Sequence, residues 1–559
     1  MKKIYPLLFL LFIYCGSKAQ SNLLWANVNV PNVSYDETVT TDLTGNVIYT
    51  GSFRGTQDFD PGPGGGYLTS ASGGSSPYVF KLDAAGNFLW AKSFGSANDG
   101  VAGDVITDPS GNIYISGTWN LDTDLDPGPA TYTFSSPYAY NLFLVKLDPN
   151  GNFVWGKVII APGIGGNLAI DASNNIIMAG TFSGTADFDM GPGTFTMTGQ
   201  QSDIFVLKLN SSGNFIWAKQ IGGWYTDSGA DVALDPSGNI NVIGSFQDLV
   251  DFDPGPGTYT LSCQQYQYKG FLLKLNSSGN FLWANAPEGN GQTYFMSMAE
   301  DGAGNVFTIG NFQDTIDFNT GVGVYNLVSD SGKYQQDIFI SKHNSSGVWQ
   351  WTRAFFGNDA DYATDICVDP SGGIYSTGWF YDTLYCGSGY SLTPGPTIYY
   401  ERALICKFDQ SGNTIWAGQI GESGDARSTS MCSDASGNIL HAGNFYQPID
   451  LDPGPLVYTI PTPTAGIFHI KLSSIVGIEE SSIKNSQLHL YPNPTSSSFN
   501  LDLNSNSQII ISNVVGQEIL NKKFEQGKNI INISDQTPGI YFVKIESEGK
   551  QKVIKLIKD

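Results

Sequence analysis

Short hydrophobic segments alternate with polar turns along most of the chain, and this pattern predicts β-strands. The segments are four to eight residues long and rich in Val, Ile, Leu and Phe, as in INVIGSF at 240–246 and FLLKLN at 271–276. Gly, Pro, Asn, Asp and Ser separate them, which is the composition of turns between strands. Hydrophobic residues do not recur at the i, i+3 and i+4 spacing of an amphipathic helix. We therefore expect an all-β fold.

One unit of this pattern recurs seven times. Each unit has four strand segments, with an insert between the second and third such as DFDPGPGTYTL at 251–261. Four-stranded units repeated seven times predict a seven-bladed β-propeller over residues 21–474. A turn of the type DPSGN marks every unit, and its glycine position recurs at spacings of 63 to 68 residues, at Gly45, Gly111, Asn174, Gly238, Gly304, Gly372 and Gly437.

Two further features repeat within the strands. The second strand has a glycine two residues before a large aromatic residue, which we interpret as packing between neighbouring blades. These pairs are Gly51/Phe53, Gly117/Trp119, Gly180/Phe182, Gly244/Phe246, Gly310/Phe312, Gly378/Phe380 and Gly443/Phe445. The third strand has one lysine, interpreted as a solvated or locally paired charge rather than part of a binding ring. These are Lys81, Lys146, Lys208, Lys274, Lys342, Lys407 and Lys471.

The segment NLLWANV at 22–28 is predicted to be a strand with no hairpin partner before it. A tryptophan that closes the predicted fourth strand occurs in six units, at Trp90, Trp155, Trp217, Trp283, Trp351 and Trp416. Trp25 lies 65 residues before Trp90, a normal repeat spacing, and the seventh unit has only three strand segments. We therefore expect the N-terminal strand to complete the last blade and close the ring.

The units resemble the bacterial seven-bladed β-propeller repeats of the SBBP type. The segments that carry the resemblance are DPSGNIYISGTW at 108–119 and DIFVLKLNSSGNFIWAKQIGG at 203–223. The resemblance implies the propeller fold and an exported protein, and it names no function. The units depart from that family in their DFDPGPG inserts. The resemblance therefore implies nothing about the loops on the face of the propeller that carries these inserts.

The chain changes character after the propeller. Residues 475–487 are polar and unpatterned, as in a linker, and residues 488–559 contain alternating strands that predict a small β-sandwich. This region resembles the C-terminal sorting domain of the type IX secretion system, through Tyr491–Thr495, Gly516, Gly539–Lys544 and the basic end Lys552–Lys558. The resemblance implies passage across the outer membrane by that machinery, removal of the domain, and release or attachment at the surface. An ordinary terminal β-sandwich is the alternative.

Residues 1–20 are predicted to be a signal peptide, because two lysines precede an apolar run and small residues follow it. No later run reaches the roughly 18 apolar residues of a membrane-spanning helix. Residues 21–474 carry 16 Lys and Arg against 42 Asp and Glu. This acidity argues against nucleic acid or an anionic membrane as a partner, because the attraction between phosphate groups and a basic surface would become repulsion. We expect an extracellular or surface-exposed monomer.

Cysteine and histidine residues give little indication of chemistry. Five cysteines remain after the signal peptide, Cys263, Cys367, Cys386, Cys406 and Cys432; a Cys386–Cys406 bridge is one option and buried thiols are the favoured one. The histidines are His343, His441, His469 and His489, and none belongs to an HExxH motif; GxSxG is also absent. We assign no catalytic, cofactor-binding or metal-binding residues.

Pairs of aspartates begin five of the seven inserts. Side chains two apart on a strand share a face, so each pair can offer two carboxylates to calcium, while the following PGPG turn supplies backbone oxygens. The favoured interpretation is that the aspartates cap backbone N–H groups of tight turns. The pairs are Asp58/Asp60, Asp124/Asp126, Asp187/Asp189, Asp251/Asp253 and Asp450/Asp452; the fifth insert has Asp317/Asn319, and the sixth, within 380–396, has lost the pair.

Two classes of function remain open. The favoured one is an exported binding module whose rigid ring presents irregular loops to a glycan or a protein. The alternative is an extracellular carbohydrate-active or other hydrolytic enzyme with a site at the central channel. The sixth insert breaks the repeat most strongly, which is where a specific site or simple sequence drift is expected.

Overall fold

The computed structural model confirms the all-β fold, since every described residue lies in a strand, a turn or an irregular segment. None of the described segments forms a helix with the length and hydrophobicity needed to cross a membrane. The chain divides into two compact units, Met1–Gly477 and Ile478–Asp559. The predicted signal peptide and linker lie outside the described residues. These are 23–29, 37–71, 74–96, 99–138, 140–161, 165–264, 266–329, 335–393, 400–421, 424–447, 449–454, 458–459, 465–474, 490–491, 495, 497–503, 505–513, 517–537, 539–547 and 550–558.

The described part of the first unit contains seven four-stranded antiparallel sheets, numbered here in chain order. In sheets 1 to 6 the strands run in simple sequence order, so each of these sheets is a meander. Sheet 1 has Thr38–Thr41, Val47–Phe53, Ser76–Leu82 and Phe88–Ser93; sheet 2 has Gly100–Thr107, Ile113–Trp119, Asn141–Leu147 and Phe153–Ile159; sheet 3 has Gly165–Ile170, Ile176–Phe182, Asp203–Leu209 and Phe215–Ile221; sheet 4 has Ser228–Leu234, Ile240–Phe246, Lys269–Leu275 and Phe281–Asn285.

Sheet 7 takes its fourth strand from the beginning of the chain. Leu23–Asn29 pairs antiparallel with Ala465–Leu472, in a register that places Trp25 opposite Lys471. First strands of neighbouring sheets contact one another, and the first strand of sheet 7 contacts that of sheet 1, so these contacts form a cycle. Sheet 5 has Thr293–Glu300, Val306–Phe312, Asp337–His343 and Trp349–Phe355; sheet 6 has Tyr362–Val368, Ile374–Phe380, Arg402–Phe408 and Thr414–Ile420; sheet 7 has Asp425–Ser433, Ile439–Tyr446, Ala465–Leu472 and Leu23–Asn29.

The inserts form short hairpins between the second and third strands of sheets 1 to 6. Those of sheets 2 and 5 also pair with the two-residue strands Gly95–Ser96 and Glu288–Gly289, and sheet 7 has an Asp450–Thr459 bridge instead. The hairpins are Thr56–Asp58 with Tyr67–Thr69, Asp122–Asp124 with Thr133–Ser135, Thr185–Asp187 with Thr196–Thr198, Leu249–Asp251 with Thr260–Ser262, Thr315–Asp317 with Asn326–Val328, and Leu384–Gly387 with Tyr390–Leu392.

The core lies between neighbouring sheets. Phe182 of sheet 3, for example, is fully buried in one cluster with Leu142 and Leu144 of sheet 2. Gly180, on the same strand, lies so close to the Gly165 backbone that a Cβ would clash with it. The glycine thus permits the close approach of the first strand, and the aromatic ring fills the space between sheets, as the sequence indicates.

The second unit contains two small sheets that share one hydrophobic core. Phe499 and Ile531 of the first sheet are buried in the same cluster as Ile511 and Val543 of the second, an arrangement that defines a β-sandwich. One sheet has Leu490–Tyr491, Ser498–Leu503 and Gly527–Asn532; the other has Glu518–Phe524, Ser507–Asn513, Gly539–Ser547 and Lys550–Lys558.

Candidate functional site

A meander of four strands has two ends with different connections. We call the end with the turns between strands 1 and 2 and between strands 3 and 4 the turn face. The opposite end carries the inserts and the connections between sheets, and we call it the loop face. Residues that recur from unit to unit lie on the turn face, and the loops that differ between units lie on the loop face.

The turn face is held by aspartates that cap their own turns. In sheet 2, Asp108 accepts hydrogen bonds from the backbone N–H of Ser110 and Asn112, at 2.9 and 3.0 Å, while Gly111 adopts a φ of +79°. Asn174 takes the glycine position in sheet 3 with a φ of +60°, which asparagine tolerates better than most residues. The DPSGN motif is therefore a turn signal, as its sequence predicts.

Six of the seven repeated lysines form an ion pair with the turn aspartate of their own sheet, and five of these six are buried. Lys274 lies 2.7 Å from Asp235 of its own sheet and donates to the Ser345 carbonyl of the next sheet at 3.2 Å. Lys471 makes the same two contacts, with Asp434 at 2.9 Å and with Ala84 of sheet 1 at 3.2 Å. Each of these lysines thus joins two sheets through one ammonium group.

The same ion pair controls the charge of the turn aspartate. Burial opposes the ionisation of Asp42, but hydrogen bonds from Lys81, Thr44 and Asn46 outweigh it and lower its pKa to about 2. Lys342 in sheet 5 differs from the other repeated lysines. It donates to the Gln410 side chain of sheet 6 at 2.6 Å, and burial lowers the pKa of Lys342.

Trp25 contacts the turn face of sheet 1. Its indole N–H donates to the Ala84 carbonyl at 3.3 Å, and its ring lies over Gly86, where a Cβ would approach it to 2.9 Å. Trp90, Trp155, Trp217, Trp283 and Trp351 cover Gly151, Gly213, Gly279, Gly347 and Gly412 of the following sheets in the same way. The N-terminal strand therefore makes the contact between sheets 7 and 1 that the fourth strands of sheets 1 to 5 make with the sheet that follows each of them.

The paired aspartates of the inserts cap backbone groups. Asp251 accepts hydrogen bonds from the N–H groups of Asp253 and Tyr259, at 3.1 and 2.9 Å, and Asp253 accepts one from Gly255 at 2.8 Å. Asn319 takes the second position in sheet 5 and accepts from Gly321 at 2.9 Å, so this role requires an oxygen but no charge. Among the described residues, no three His, Cys, Asp or Glu side chains are grouped so that they could hold a metal ion.

The described histidines are buried inside the fold. His469 contacts Glu37 at 2.7 Å, and His441 contacts the Ser428 hydroxyl at 2.9 Å. His343 takes a position that a leucine fills in most other sheets, and burial lowers its pKa to about 4. His489 lies outside the described residues. None of the three described side chains is exposed to a substrate.

A cycle of hydrogen bonds surrounds the axis where the first strands meet. Its side chains all stand seven residues before the turn glycine, at Thr38, Asp104, Asn167, Asp231, Ser297, Asp365 and Ser430. The links between successive sheets are Thr38 to the Gly103 carbonyl, Leu168 N–H to Asp104, Asn167 to the Ala230 carbonyl, Met298 N–H to Asp231, Ser297 to Asp365, Met431 N–H to Asp365, and Val39 N–H to Ser430.

Three acids in this axial cycle have raised pKa values. Burial raises the pKa of Asp231 to about 8. The hydrogen bond from the Met298 N–H lowers this pKa, whereas the nearby charge of Asp104 raises it further. Burial likewise raises the pKa of Asp104 to about 6 and that of Asp365 above its ordinary value. The three line a cavity of 310 Å³, but all accept hydrogen bonds from neighbouring strands. They therefore hold sheets together and leave little carboxylate free for a ligand.

The loop face carries a group of aromatic and amide side chains around sheets 3 to 5. Trp224 is 76% exposed and Tyr266 is 73% exposed, and neither ring packs into the core. Tyr225 meets Tyr266 edge-to-face at 6.0 Å, and Tyr268 lies 5.5 Å from Tyr294. We define the aromatic–amide patch as Trp224, Tyr225, Gln264, Tyr266, Gln267, Tyr268, Asn290, Gln292 and Tyr294.

The amides connect the loops of this patch. Gln267 donates to the Asn290 carbonyl at 2.9 Å, Gln264 contacts the Asn290 side chain at 3.2 Å, and Tyr294 donates to Gln292 at 2.8 Å. Tyr266 has a φ of +67°, a strained backbone conformation for a bulky residue. Such strain concentrates at functional sites, where the surrounding structure holds a side chain outward. The patch thus combines positioned exposed rings with uncharged hydrogen-bonding groups.

Sequence reasoning missed both the axial cycle and the aromatic–amide patch. The axial residues differ in type, and only alignment of the repeats on their turn glycines places them at one position. The patch had a signal in the aromatic-rich loops WYTD at 224–227 and QQYQYK at 264–269, which interrupt the repeat.

Together, the fold and the sheet pattern define a β-propeller-like repeat protein with a separate C-terminal β-sandwich. Residues 489–559 match the family model described as the secretion system C-terminal sorting domain. The chain therefore carries a type IX sorting domain, which implies interaction with that secretion machinery and export to the cell surface or the extracellular space.

Comparison with other proteins supports the repeat architecture. The chain is 22% identical over 519 residues to an uncharacterized WD repeat-containing protein, L264, of Acanthamoeba polyphaga mimivirus. The match covers 77% of this chain but only 37% of that relative.

Two solved structures are similar at low superposition scores. One is a PL25 polysaccharide lyase, an ulvan lyase, at 8% identity and a TM-score of 0.30, covering 95% of this chain and 96% of the other. The second is PorZ, a surface component of the type IX secretion system of Porphyromonas gingivalis, at 9% identity and a TM-score of 0.16, covering 96% and 100%.

Proposed function

We propose that this protein is secreted by the type IX system and binds a neutral polysaccharide through the aromatic–amide patch. The observation that carries the proposal is the exposure of Trp224 and Tyr266 on one face of a rigid ring. Leaving large rings in water is unfavourable, so a group of them beside polar residues marks a binding surface. A glycan has apolar ring faces that stack on aromatic side chains, and hydroxyl groups that pair with amides.

The charge around the patch favours a neutral ligand. None of its nine side chains is charged, and the flanking Lys269 is paired with Glu288 at 3.7 Å. Burial raises the pKa of Asp227, near Trp224, to about 7, although hydrogen bonds from the Gly223 and Gln247 N–H groups lower it. The patch therefore lacks a free cation for an anionic sugar, while the acidic body of the chain repels one.

The alternative is an extracellular carbohydrate-active or other hydrolytic enzyme acting at the axial channel. The observation in its favour is the pKa of Asp231, raised to about 8 by burial, because a carboxylic acid that stays protonated at neutral pH can act as a general acid. Against it, Asp231 accepts hydrogen bonds from the N–H groups of Val232 and Met298 at 2.7 and 2.9 Å, so it is engaged in structure.

The test uses the mature protein with a panel of neutral polysaccharides (β-glucan, xylan, mannan) and two anionic ones (alginate, polygalacturonate). Affinity electrophoresis and calorimetry should detect a neutral glycan, with no reducing sugar released. Trp224→Ala or Tyr266→Ala should weaken that binding about tenfold or more, as expected for the loss of a central aromatic contact.

The matched control is Tyr67→Ala, which removes an aromatic side chain that is 69% exposed but lies on the insert of sheet 1. It should leave affinity unchanged. Equal binding by wild type and Trp224→Ala, or preference for the anionic polymers, would contradict the proposal. Release of reducing sugar that Asp231→Asn abolishes would favour the enzyme.

A further inference from the structure

A stack of planar side chains lies at the loop-face end of sheet 6. Tyr362 begins the first strand, and Trp379 lies opposite it on the second strand. Their ring centroids are 4.1 Å apart and the ring planes differ by 18°, so the two rings are stacked face to face. The guanidinium carbon of Arg427, from the first strand of sheet 7, lies 4.6 Å from the Trp379 ring. Since Tyr362 covers one face of the indole, Arg427 lies on the other face.

Further contacts hold this stack in place. Glu401 accepts hydrogen bonds from the Arg427 guanidinium through both carboxylate oxygens, and from the Tyr381 hydroxyl at 2.8 Å. Tyr381 in turn meets Trp379 edge-to-face, with the ring centroids 5.5 Å apart. Tyr362 is partly exposed, and within the described part of the chain no other aromatic ring stacks on its outer face, the face turned away from Trp379.

The stack does not belong to the repeated scaffold. Tyr381 lies in the sixth insert, the one that departs most from the repeat, and Trp379 takes the position directly after the strand glycine. A large aromatic side chain where the fold does not require one indicates a binding surface. The other six sheets have a smaller polar residue at this position, namely Ser52, Thr118, Thr181, Ser245, Asn311 and Asn444.

Tyr362 is the neighbour of Tyr294, which belongs to the aromatic–amide patch. The two tyrosines take the same register position in sheets 6 and 5, since each lies opposite the residue that follows the strand glycine. In sheet 5 that residue is Asn311. Its side-chain amide donates to the Asp361 carbonyl at 2.7 Å and accepts from the Ala363 N–H at 3.2 Å. The backbone on both sides of Tyr362 is thus fixed against sheet 5, beside the patch.

Amide side chains join the loops here, as they do in the patch. Gln335 donates to Asp359 at 2.9 Å, and Asn358 donates to Asp382 at 3.2 Å. Amides and carboxylates of this kind can also pair with sugar hydroxyl groups. The Arg427 side chain is half-exposed, but its charge is balanced by its carboxylate partner. The stack therefore offers a ring face beside hydrogen-bonding groups, and its arginine is already paired.

We propose that Tyr362 forms a second sugar subsite, and that the polysaccharide crosses from the aromatic–amide patch onto this stack. A sugar ring packs on the outer face of Tyr362, which Trp379 and Arg427 hold in position before the ligand arrives. The inference rests on the proposed function and specifies its ligand as an extended chain of several sugars, rather than a disaccharide or a terminal sugar.

Two subsites on one rigid ring make affinity depend on the length of the ligand. Once one part of a chain is bound at the patch, contact of the next part with Tyr362 is an intramolecular step and adds to the affinity. A chain too short to span both subsites lacks this gain. Affinity should therefore rise with chain length until both subsites are filled.

The test uses the mature protein and oligosaccharides of increasing length, cut from the same β-glucan, xylan and mannan. For the glycan that binds, calorimetry should show the rise of affinity with length. Tyr362→Ala should abolish this rise and lower the affinity for the long oligosaccharides about tenfold, while Tyr362→Phe, which keeps the ring, should retain the rise. The matched control is Tyr138→Ala, which removes a half-exposed tyrosine from the loop face of sheet 2 and should change nothing.

A second readout needs no variant and so does not depend on the folding of Tyr362→Ala. Hydroxyl-radical footprinting of the wild type, read by mass spectrometry, should show that a long oligosaccharide protects both Trp224 and Tyr362 from oxidation. Protection of Trp224 without Tyr362, or equal affinity at every chain length, would overturn this inference and leave the proposed function standing. If the wild type binds none of the three glycans, both are wrong.

Discussion

The two faces of the ring use their residues in different ways. On the turn face, one set of contacts recurs from sheet to sheet: an aspartate caps its turn, and a buried lysine joins it to the next sheet, as Lys274 does between Asp235 and Ser345. On the loop face, each connection has its own sequence, and sheets 3 to 5 expose Trp224 and Tyr266. Repetition serves stability, while departure from the repeat creates a surface that can be specific.

The comparison also separates two kinds of buried charge. On the turn face, hydrogen bonds from Lys81, Thr44 and Asn46 outweigh burial and lower the pKa of Asp42 to about 2. The axial carboxylates face backbone N–H groups and one another, so burial prevails and the pKa of Asp231 rises to about 8. The opposite signs give the two regions opposite responses to pH.

The largest expected effect is on closure. Deleting Leu23–Asn29 removes the fourth strand of sheet 7 together with the Trp25 contact on Gly86. We expect unfolding to become easier by about 5 kcal/mol or more, because loss of a packed tryptophan alone costs about 3–5 kcal/mol. Urea titration measures this. Leu24→Ser, at a residue that is 51% exposed on the same strand, should have little effect. A deletion variant as stable as the wild type would show that the ring does not depend on this strand.

The second effect tests the turn face. Lys274→Met removes one partner of a buried ion pair and leaves Asp235 facing a hydrophobic side chain. We expect a loss of about 3 kcal/mol in the free energy of unfolding. The double variant Lys274→Met with Asp235→Asn should recover part of this loss, since no unpaired charge remains. If the double variant recovers none of the lost stability, packing of the lysine methylene groups, rather than the lysine charge, holds the sheets together.

The third effect concerns the axis. The Asp231 carboxyl has an ordinary pKa of 3.8 and a pKa of about 8 in the fold, so between pH 4 and pH 8 the native state holds a proton that the unfolded state releases. Stability therefore falls as pH rises through this window, by about 1.4 kcal/mol per pH unit. Asp231→Asn removes this contribution, and unfolding curves at several pH values should diverge accordingly. Parallel curves for variant and wild type would mean that Asp231 is already ionised in the fold.

The smallest expected effect concerns the insert aspartates. Their carboxylates already accept backbone hydrogen bonds, as Asp251 does from Tyr259 at 2.9 Å, and the sheet 5 insert forms with Asn319 in place of the second acid. We expect the same melting midpoint in millimolar calcium and in chelator. A midpoint several degrees higher with calcium would show that the inserts bind the ion.

Prediction from sequence succeeded where the information is local. The strand pattern, the turn glycines and the Gly–aromatic pairs all act within about ten residues, so the all-β, propeller-like fold and the packing role of Phe182 followed from the repeat. The sorting domain was recognisable for the same reason, since its motifs are short and ordered. The repeated lysines were interpreted as solvated or locally paired, and six of the seven are paired with an aspartate; the burial of five of them was not foreseen.

The sequence by itself determined the repeated unit and the spacing of Trp25 from Trp90. Only the tertiary structure decided which residues of different units meet. The Asp104–Leu168 and Lys274–Ser345 contacts join residues 64 and 71 positions apart, and the aromatic–amide patch gathers three separate loops. Turn and strand preferences act between near neighbours, whereas these contacts depend on how whole sheets pack against one another, and that geometry is fixed by the sum of many weak interactions across the core.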